Sequence, residues 1–317
     1  MPRSQYFEEM LRDLLDEERE LNPAQLAELS DLDTDQLGTF ESAWPSTPLP
    51  RRERIAQLLG ELAQDNLEFL FDRVNRVLLE DPSPSVRRLA IQNLWENEEA
   101  SLAKQLVQLA SLDQEEAVRQ EAVRALGRFV YLGEVNKIRP EAHAAVEAAL
   151  LAILEGSDHP VELKRIALES MGYSSRPELP RHVRRSFESG EEAGVRSSLI
   201  AMGRSADTDW IPQVMERLHD PAPAVRAAAA RAAGELEARK AAAILIELLD
   251  DASPVVNEAA IWALGQIGGD QARNALLRLQ EQPGTNQLTR VIDEALDHIA
   301  FLEGTPDLML FDFDVDE

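Results

Sequence analysis

The chain has 317 residues, 44% hydrophobic but only 5% aromatic, and its 58 acidic against 32 basic residues leave a formal charge of -26. That length permits two ordinary domains or one elongated array, and the acidity argues against a general nucleic-acid binder, which needs clustered Lys and Arg. The absence of cysteine excludes disulfides, thiolate catalysis and Cys-based zinc sites.

The amino-terminal stretch is acidic and has no apolar signal core. No window approaches the ~18 consecutive apolar residues of a membrane span, so a soluble, cytoplasmic protein is expected. Residues 4–19 read as an acidic amphipathic helix, and Asn22-Pro23 opens a second. Residues 33–62 form an atypical first hairpin with a Pro-rich connection at 45–50. Apolar stretches of helical period then place further hairpins at about 65–96, 99–129, 141–173, 177–203, 207–236, 238–268 and 270–300. The expected fold is all-α, a solenoid of about eight antiparallel hairpins. Residues 1–45 would be its acidic amino-terminal cap, 46–301 the repeats, and 302–317 an acidic-aromatic tail.

A short motif ties the hairpins together. Asp, four residues, an aliphatic, a basic residue, two more and Ala recur in DPSPSVRRLA from Asp81 and DQEEAVRQEA from Asp113. They recur again in DHPVELKRIA from Asp158 and DPAPAVRAAA from Asp220. DASPVVNEAA from Asp251 replaces the basic residue by Asn257. The start points lie 32, 45, 62 and 31 residues apart. The 62 is two periods, with a degenerate copy at Ser189 whose Arg196 comes one place late. The 45 holds about fourteen extra residues, an insertion at about 130–141. Most copies run on to an aliphatic-Gly or Ala-Gly pair, as at Leu126-Gly127 and Ala233-Gly234. Asp and Pro belong at the turn, with Asp accepting from the free amides of the second helix and Pro in its first turn. Ala at the recurring slots allows close helix packing.

These motifs resemble the HEAT-repeat family, specifically its short bacterial, phycobilisome-lyase-like branch, over roughly residues 50–300. The resemblance implies a ladder between stacked hairpins, in which the turn Asp and the basic residue six places on are hydrogen-bonded. Carried over by position, it pairs Asp81 with Arg87, Asp113 with Arg119, Asp158 with Lys164 and Asp220 with Arg226. Arg226, a charge beside an Ala-rich apolar run, is therefore expected to be architectural, since such a charge survives when paired.

Chemistry is sparse by comparison. No two of His143, His159, His182, His219 and His298 stand three to five residues apart, so no His-x-x-x-His metal pair exists. None is followed by Glu, which departs from the His-Glu ligand pairs of HEAT-repeat di-iron hydroxylases. GQIGGD at 265–270 follows a helix and lacks Gly-Lys-Ser/Thr, so it reads as a glycine helix stop, not a phosphate loop. No catalytic, cofactor-binding or metal-binding residue is expected.

Two stretches stand apart as candidates for interaction. Arg176, Arg181, Arg184 and Arg185 gather with His182 in an acidic chain, either as a solvated helix face or as an anchor for an acidic peptide, phosphate or nucleic acid. The tail alternates Phe311, Phe313 and Val315 with Asp312, Asp314 and Asp316 and carries no base, which fits a docking peptide for a partner, a second copy or this chain itself. The leading expectation is a non-enzymatic scaffold or adaptor that holds a protein or peptide on stacked second helices. Two alternatives are a bilin lyase or isomerase-like role, implied by the resemblance, and nucleic-acid binding, which the charge disfavours.

Overall fold

The structure is a computed structural model that describes residues 3–66, 68–282 and 287–304. All regular structure among the described residues is helical. The chain divides into two compact units, Met1–Ser170 and Met171–Glu317.

The first unit opens with α1 (Arg3–Leu15), α2 (Pro23–Ala27) and α3 (Thr34–Ala43). Asn22 caps α2 through its side chain, and Asp33 and Gln36 cap α3 reciprocally, which satisfies amides that a helix start leaves bare. A 3-10 turn at Trp44–Ser46 leads into α4 (Leu49–Asp65). Phe7, Leu11, Leu14, Leu26, Leu29, Phe40, Ile55 and Leu59 are buried, so the amino-terminal helices have core of their own. Arg51 on α4 clamps the end of α1, donating to the carbonyls of Leu14 at 2.8 Å and Arg19 at 2.7 Å. Burial pulls its pKa down against the opposing charge of Asp16.

Three hairpins complete this unit. They are α5 (Asp72–Leu78) with α6 (Pro84–Asn93), α7 (Ala100–Leu112) with α8 (Glu116–Glu134), and α9 (Pro140–Glu155) with α10 (Val161–Ser170). The extra residues expected as an insertion at about 130–141 do not form a loop. Residues 130–134 prolong α8 with Val130 and Leu132 buried, a short link turns at Asn136 with φ 58°, and α9 itself is long. Apolar residues at helical spacing kept the helix going past the usual repeat length.

The second unit starts with a 3-10 turn at Met171–Tyr173 and four hairpins follow. They are α11 (Leu179–Glu188) with α12 (Glu192–Arg204), α13 (Ile211–Arg217) with α14 (Pro223–Glu235), α15 (Ala242–Glu247) with α16 (Pro254–Ile267), and α17 (Gly269–Gln280) with α18 (Thr289–Gly304). Within this unit the second helices α12, α14, α16 and α18 stack side by side, each backed by its own first helix. Gly268 and Gly269, at φ 67° and 84°, stop α16 and start α17 without a linker, as expected of GQIGGD.

Glycine sets the spacing of that stack. A Cβ on Gly203 would lie 3.0 Å from the Cα of Ala232, one on Gly234 would lie 2.8 Å from that of Ala263, and one on Gly265 would lie 3.0 Å from that of Ala295. Each second helix therefore touches the next backbone to backbone, which only Gly facing Ala permits.

Candidate functional site

The turn aspartates take one geometry in four of the five copies, the exception being Asp158. Asp81, Asp113, Asp220 and Asp251 accept from the backbone amides of Ser83 at 2.7 Å, Glu115 at 2.9 Å, Ala222 at 2.9 Å and Ser253 at 2.8 Å. This is an Asx turn two residues long, and it precedes the helix. The aspartate thus shapes the approach to the second helix and does not bond its first-turn amides as expected. Pro84, Pro223 and Pro254 then occupy the first turn.

The arginines connect one hairpin to the next. Arg226 Nε and Nη2 both donate at 2.8 Å to the two carboxylate oxygens of Asp251, in the following hairpin. Its Nη1 turns back to the carbonyls of Asp220 at 2.8 Å and Pro221 at 3.0 Å. Arg87 repeats the arrangement, with two bonds of 2.8 Å to Asp113 and one of 2.7 Å to the carbonyl of Asp81. The guanidinium fork matches a carboxylate on one edge and leaves donors for carbonyls on the other. Asp81 is itself taken from upstream, by Arg52 and by Trp44 Nε1 at 2.7 Å.

The expected pairs therefore need correcting. Asp81 with Arg87, Asp113 with Arg119 and Asp220 with Arg226 do not meet carboxylate to guanidinium; in each case the arginine holds the carbonyl of its own Asp. The carboxylate is already committed, by its Asx turn and by the preceding hairpin where one supplies an arginine. Arg119 keeps the carbonyl half, at 2.7 Å to Asp113, but Asp158 is exposed and accepts from Ser157 Oγ at 2.8 Å. Among the described residues Lys164 makes no side-chain hydrogen bond or ion pair, and Arg196 is exposed. In the degenerate copy the turn is made by Gly190 at φ 72°, with Ser189 Oγ accepting from Glu191 at 3.3 Å. Asn257 bonds three turn carbonyls, of Leu248, Leu249 and Asp251. Its short side chain suits a hairpin with no motif aspartate after it.

A model of HEAT repeats matches residues 74–140 and 211–296. The chain carries HEAT repeats. The matched segments hold the Arg87–Asp113 and Arg226–Asp251 rungs, and the unmatched stretch holds Asp158, Lys164 and Arg196. In structure the chain is similar to the complex of CpcE and CpcF of phycocyanin lyase from Nostoc sp. PCC7120, with a TM-score of 0.54 and 20% identity over 76% of this chain and 95% of that one. A designed armadillo repeat protein aligns at a TM-score of 0.38 and 19% identity, over 62% of this chain and 98% of that one. The Escherichia coli protein YibA aligns at 0.42 and 14%, over 95% and 97%. No curated protein matches the sequence. The HEAT repeats form an α-solenoid, and no helix among the described residues is long and apolar enough to cross a membrane.

The second-helix face of the second unit carries a row of large side chains seated over the repeat glycines. Arg204 packs over Gly172, Glu235 over Gly203 and Trp262 over Gly234, so a Cβ at any of these glycines would collide with its tenant. The Arg204 guanidinium lies 5.3 Å from the Tyr173 ring and that of Arg231 lies 5.1 Å from Trp262, both within cation–π range. Surrounding protein pushes the Glu235 carboxyl above its ordinary pKa, a push that Arg204 and Arg231 partly offset. Residue spacing alone does not find this row: Arg204 and Glu235 each follow a repeat glycine directly, whereas Trp262 stands three residues before Gly265.

The basic stretch is dispersed. Arg181, Arg184 and Arg185 are exposed on α11, Arg184 lies 5.2 Å from the ring of buried Trp210, and Arg181 Nε donates to His182 Nε2 at 3.3 Å. Arg176 approaches Glu178 at 3.8 Å. Phe311, Asp312, Phe313 and Asp314 lie outside the described residues. Of the histidines, His143 has neighbours that a search for His-x-x-x-His passes over. Glu147 stands one helical turn on, and Glu134 approaches from the end of α8. The His-x-x-x-Glu spacing was readable in the sequence, but the third member was not.

Proposed function

We propose that this chain is a non-enzymatic scaffold that takes a short acidic and aromatic protein segment on the second-helix face of its second unit. The observation that carries the reading is the pairing of Arg204 with Tyr173 and of Arg231 with Trp262, on a face where Arg204, Glu235 and Trp262 sit over the repeat glycines. Arg and large aromatics are the side chains that concentrate binding energy at interfaces. Here they are held in place by ring stacking and by close-packed backbone, so little ordering entropy opposes binding. Guanidinium groups receive carboxylates, and the aromatic surface that Arg204 and Arg231 leave uncovered receives apolar side chains.

Residues 305–317 have the matching composition, with Phe311 and Phe313 set among aspartates. That segment is the occupant we assign, supplied by the same chain, a second copy or a partner that mimics it. A synthetic peptide of residues 305–317 should bind the chain ended at Gly304, and added salt should weaken binding as the charges are screened. Arg204→Ala with Trp262→Ala should abolish it. No binding, or binding unchanged in that double variant, refutes the assignment. Loss on changing Arg181, Arg184 and Arg185 to Ala instead moves the site to α11. A stable absorbance change on incubation with a bilin would replace the scaffold reading with an enzymatic one.

A further inference from the structure

The junction of α8 and α9 brings three ligand-bearing side chains together, all within the first unit. His143 and Glu147 share one face of α9, four residues apart, and Glu134 is the last residue of α8. His143 Nε2 lies 3.8 Å from Glu134 Oε1 and 3.7 Å from Glu147 Oε1, and one ligand atom from each residue falls within 4.8 Å of the others. These separations are too long for hydrogen bonds. The ring nitrogen is buried and has no hydrogen-bond partner.

The ring nitrogen and the two carboxylate oxygens thus face one gap, with a donor set that a cation takes. A metal held at about 2.0–2.2 Å by nitrogen and oxygen ligands separates them by roughly 3.3 Å, near the spacing found.

The backbone is also cut to fit. A Cβ on Gly133 would overlap the His143 ring, so this glycine, the last but one residue of α8 and without a positive φ, lets the imidazole lie against the helix. We infer that Glu134, His143 and Glu147 bind one divalent transition cation of the zinc class. Two carboxylates neutralise its charge, and an imidazole with two carboxylates suits zinc, cobalt or manganese better than magnesium or calcium. The side chains are 24%, 17% and 9% exposed for Glu134, His143 and Glu147, which leaves a route from solvent. Three protein ligands also leave a coordination position open for water or for a group from a bound partner.

Calorimetric titration of the full chain with zinc chloride, in physiological salt and excess magnesium, tests the inference. Magnesium occupies the diffuse acidic surface, so the expected signal is one saturating zinc per chain, with a rise in melting temperature that EDTA reverses. Cobalt should give visible absorption bands of a low-coordinate site. Glu134→Gln, at the end of α8, should weaken zinc by about 10–100-fold or more, at least the loss seen when a supporting group is removed, with the melting temperature of the metal-free chain as the control for folding. His143→Ala should abolish the cobalt bands. Absence of saturating zinc binding in the unaltered chain overturns the inference, as does binding that Glu134→Gln leaves unchanged.

Discussion

Arg226 occupies a position where one side chain answers to two hairpins. Its guanidinium satisfies the carboxylate of Asp251 and the carbonyls of its own turn, with only 16% and 9% of the two charged side chains exposed. Arg226→Ala leaves a covered carboxylate short of two donors and should cost about 1–3 kcal/mol in urea unfolding. Asp251→Asn should cost less, and the two changes together should fall short of their sum, because both break one interaction. Additive losses would mean that the rung contributes nothing as a pair.

The same rung predicts a pH dependence. The Asp251 carboxyl is held below its ordinary value, first by the hydrogen bonds from Arg226, against the opposing effect of burial, with the Ser253 amide and the Arg226 charge adding to the shift. The folded chain thus binds that proton more weakly than the unfolded chain does. The pair's stabilisation is present above the unfolded carboxylate pKa of about 3.9 and is lost as the pH falls below it, through the folded value. Unfolding measured from pH 6 downwards should show a shallower acid loss in Arg226→Ala than in the unaltered chain. Parallel curves would detach the rung from acid stability.

Among the helices, the spacing of neighbours is set by what is missing from them. Gly234 faces the Cα of Ala263 and the Trp262 ring, so Gly234→Ala must push α14 and α16 apart. Overpacking of this kind costs about 1–3 kcal/mol. Gly38, inside α3, has nothing within 4 Å of where a Cβ would sit. Gly38→Ala should instead raise stability by up to about 1 kcal/mol, the helix-propensity difference between the two residues. Thermal melts of the two variants should therefore shift in opposite directions; a shared sign would show that packing is not what selects Gly234.

Across the molecule, the rungs cluster where the HEAT match is found and lapse between Arg119 and Arg196. A stack in which each hairpin meets its neighbours has stability that varies along its length. Helix α11 buries Leu179 and Val183 and carries exposed arginines, whereas α16 buries Val256, Ala259, Ala260, Ile261, Ala263, Leu264 and Ile267. Hydrogen exchange should be faster in α11 than in α14 and α16. Equal protection would imply that the missing rungs and thin core are compensated elsewhere. The residues at about 130–134, expected from the broken period to be irregular, are helical with a buried face and should exchange slowly as well.

The period, the helical hairpins, the turn prolines, the helix-stopping glycines and the architectural role of Arg226 were legible in the sequence, because each rests on local propensity or on a pattern that recurs within one hairpin. Three features were not. The carboxylate that Arg226 takes lies 25 residues on, in Asp251, and only the stacking of hairpins decides between it and the nearer Asp220. The row of Arg204, Glu235 and Trp262 comes from three successive hairpins, and it acquires a shape only when glycine brings their backbones into contact. Glu134 and His143 are separated by a helix end and a turn, so their approach depends on how far α8 continues and on the left-handed residue Asn136 that reverses the chain. Recurrence along a chain is a property of residue order, whereas the meeting of side chains across hairpins depends on how backbones pack, and no single hairpin contains that information.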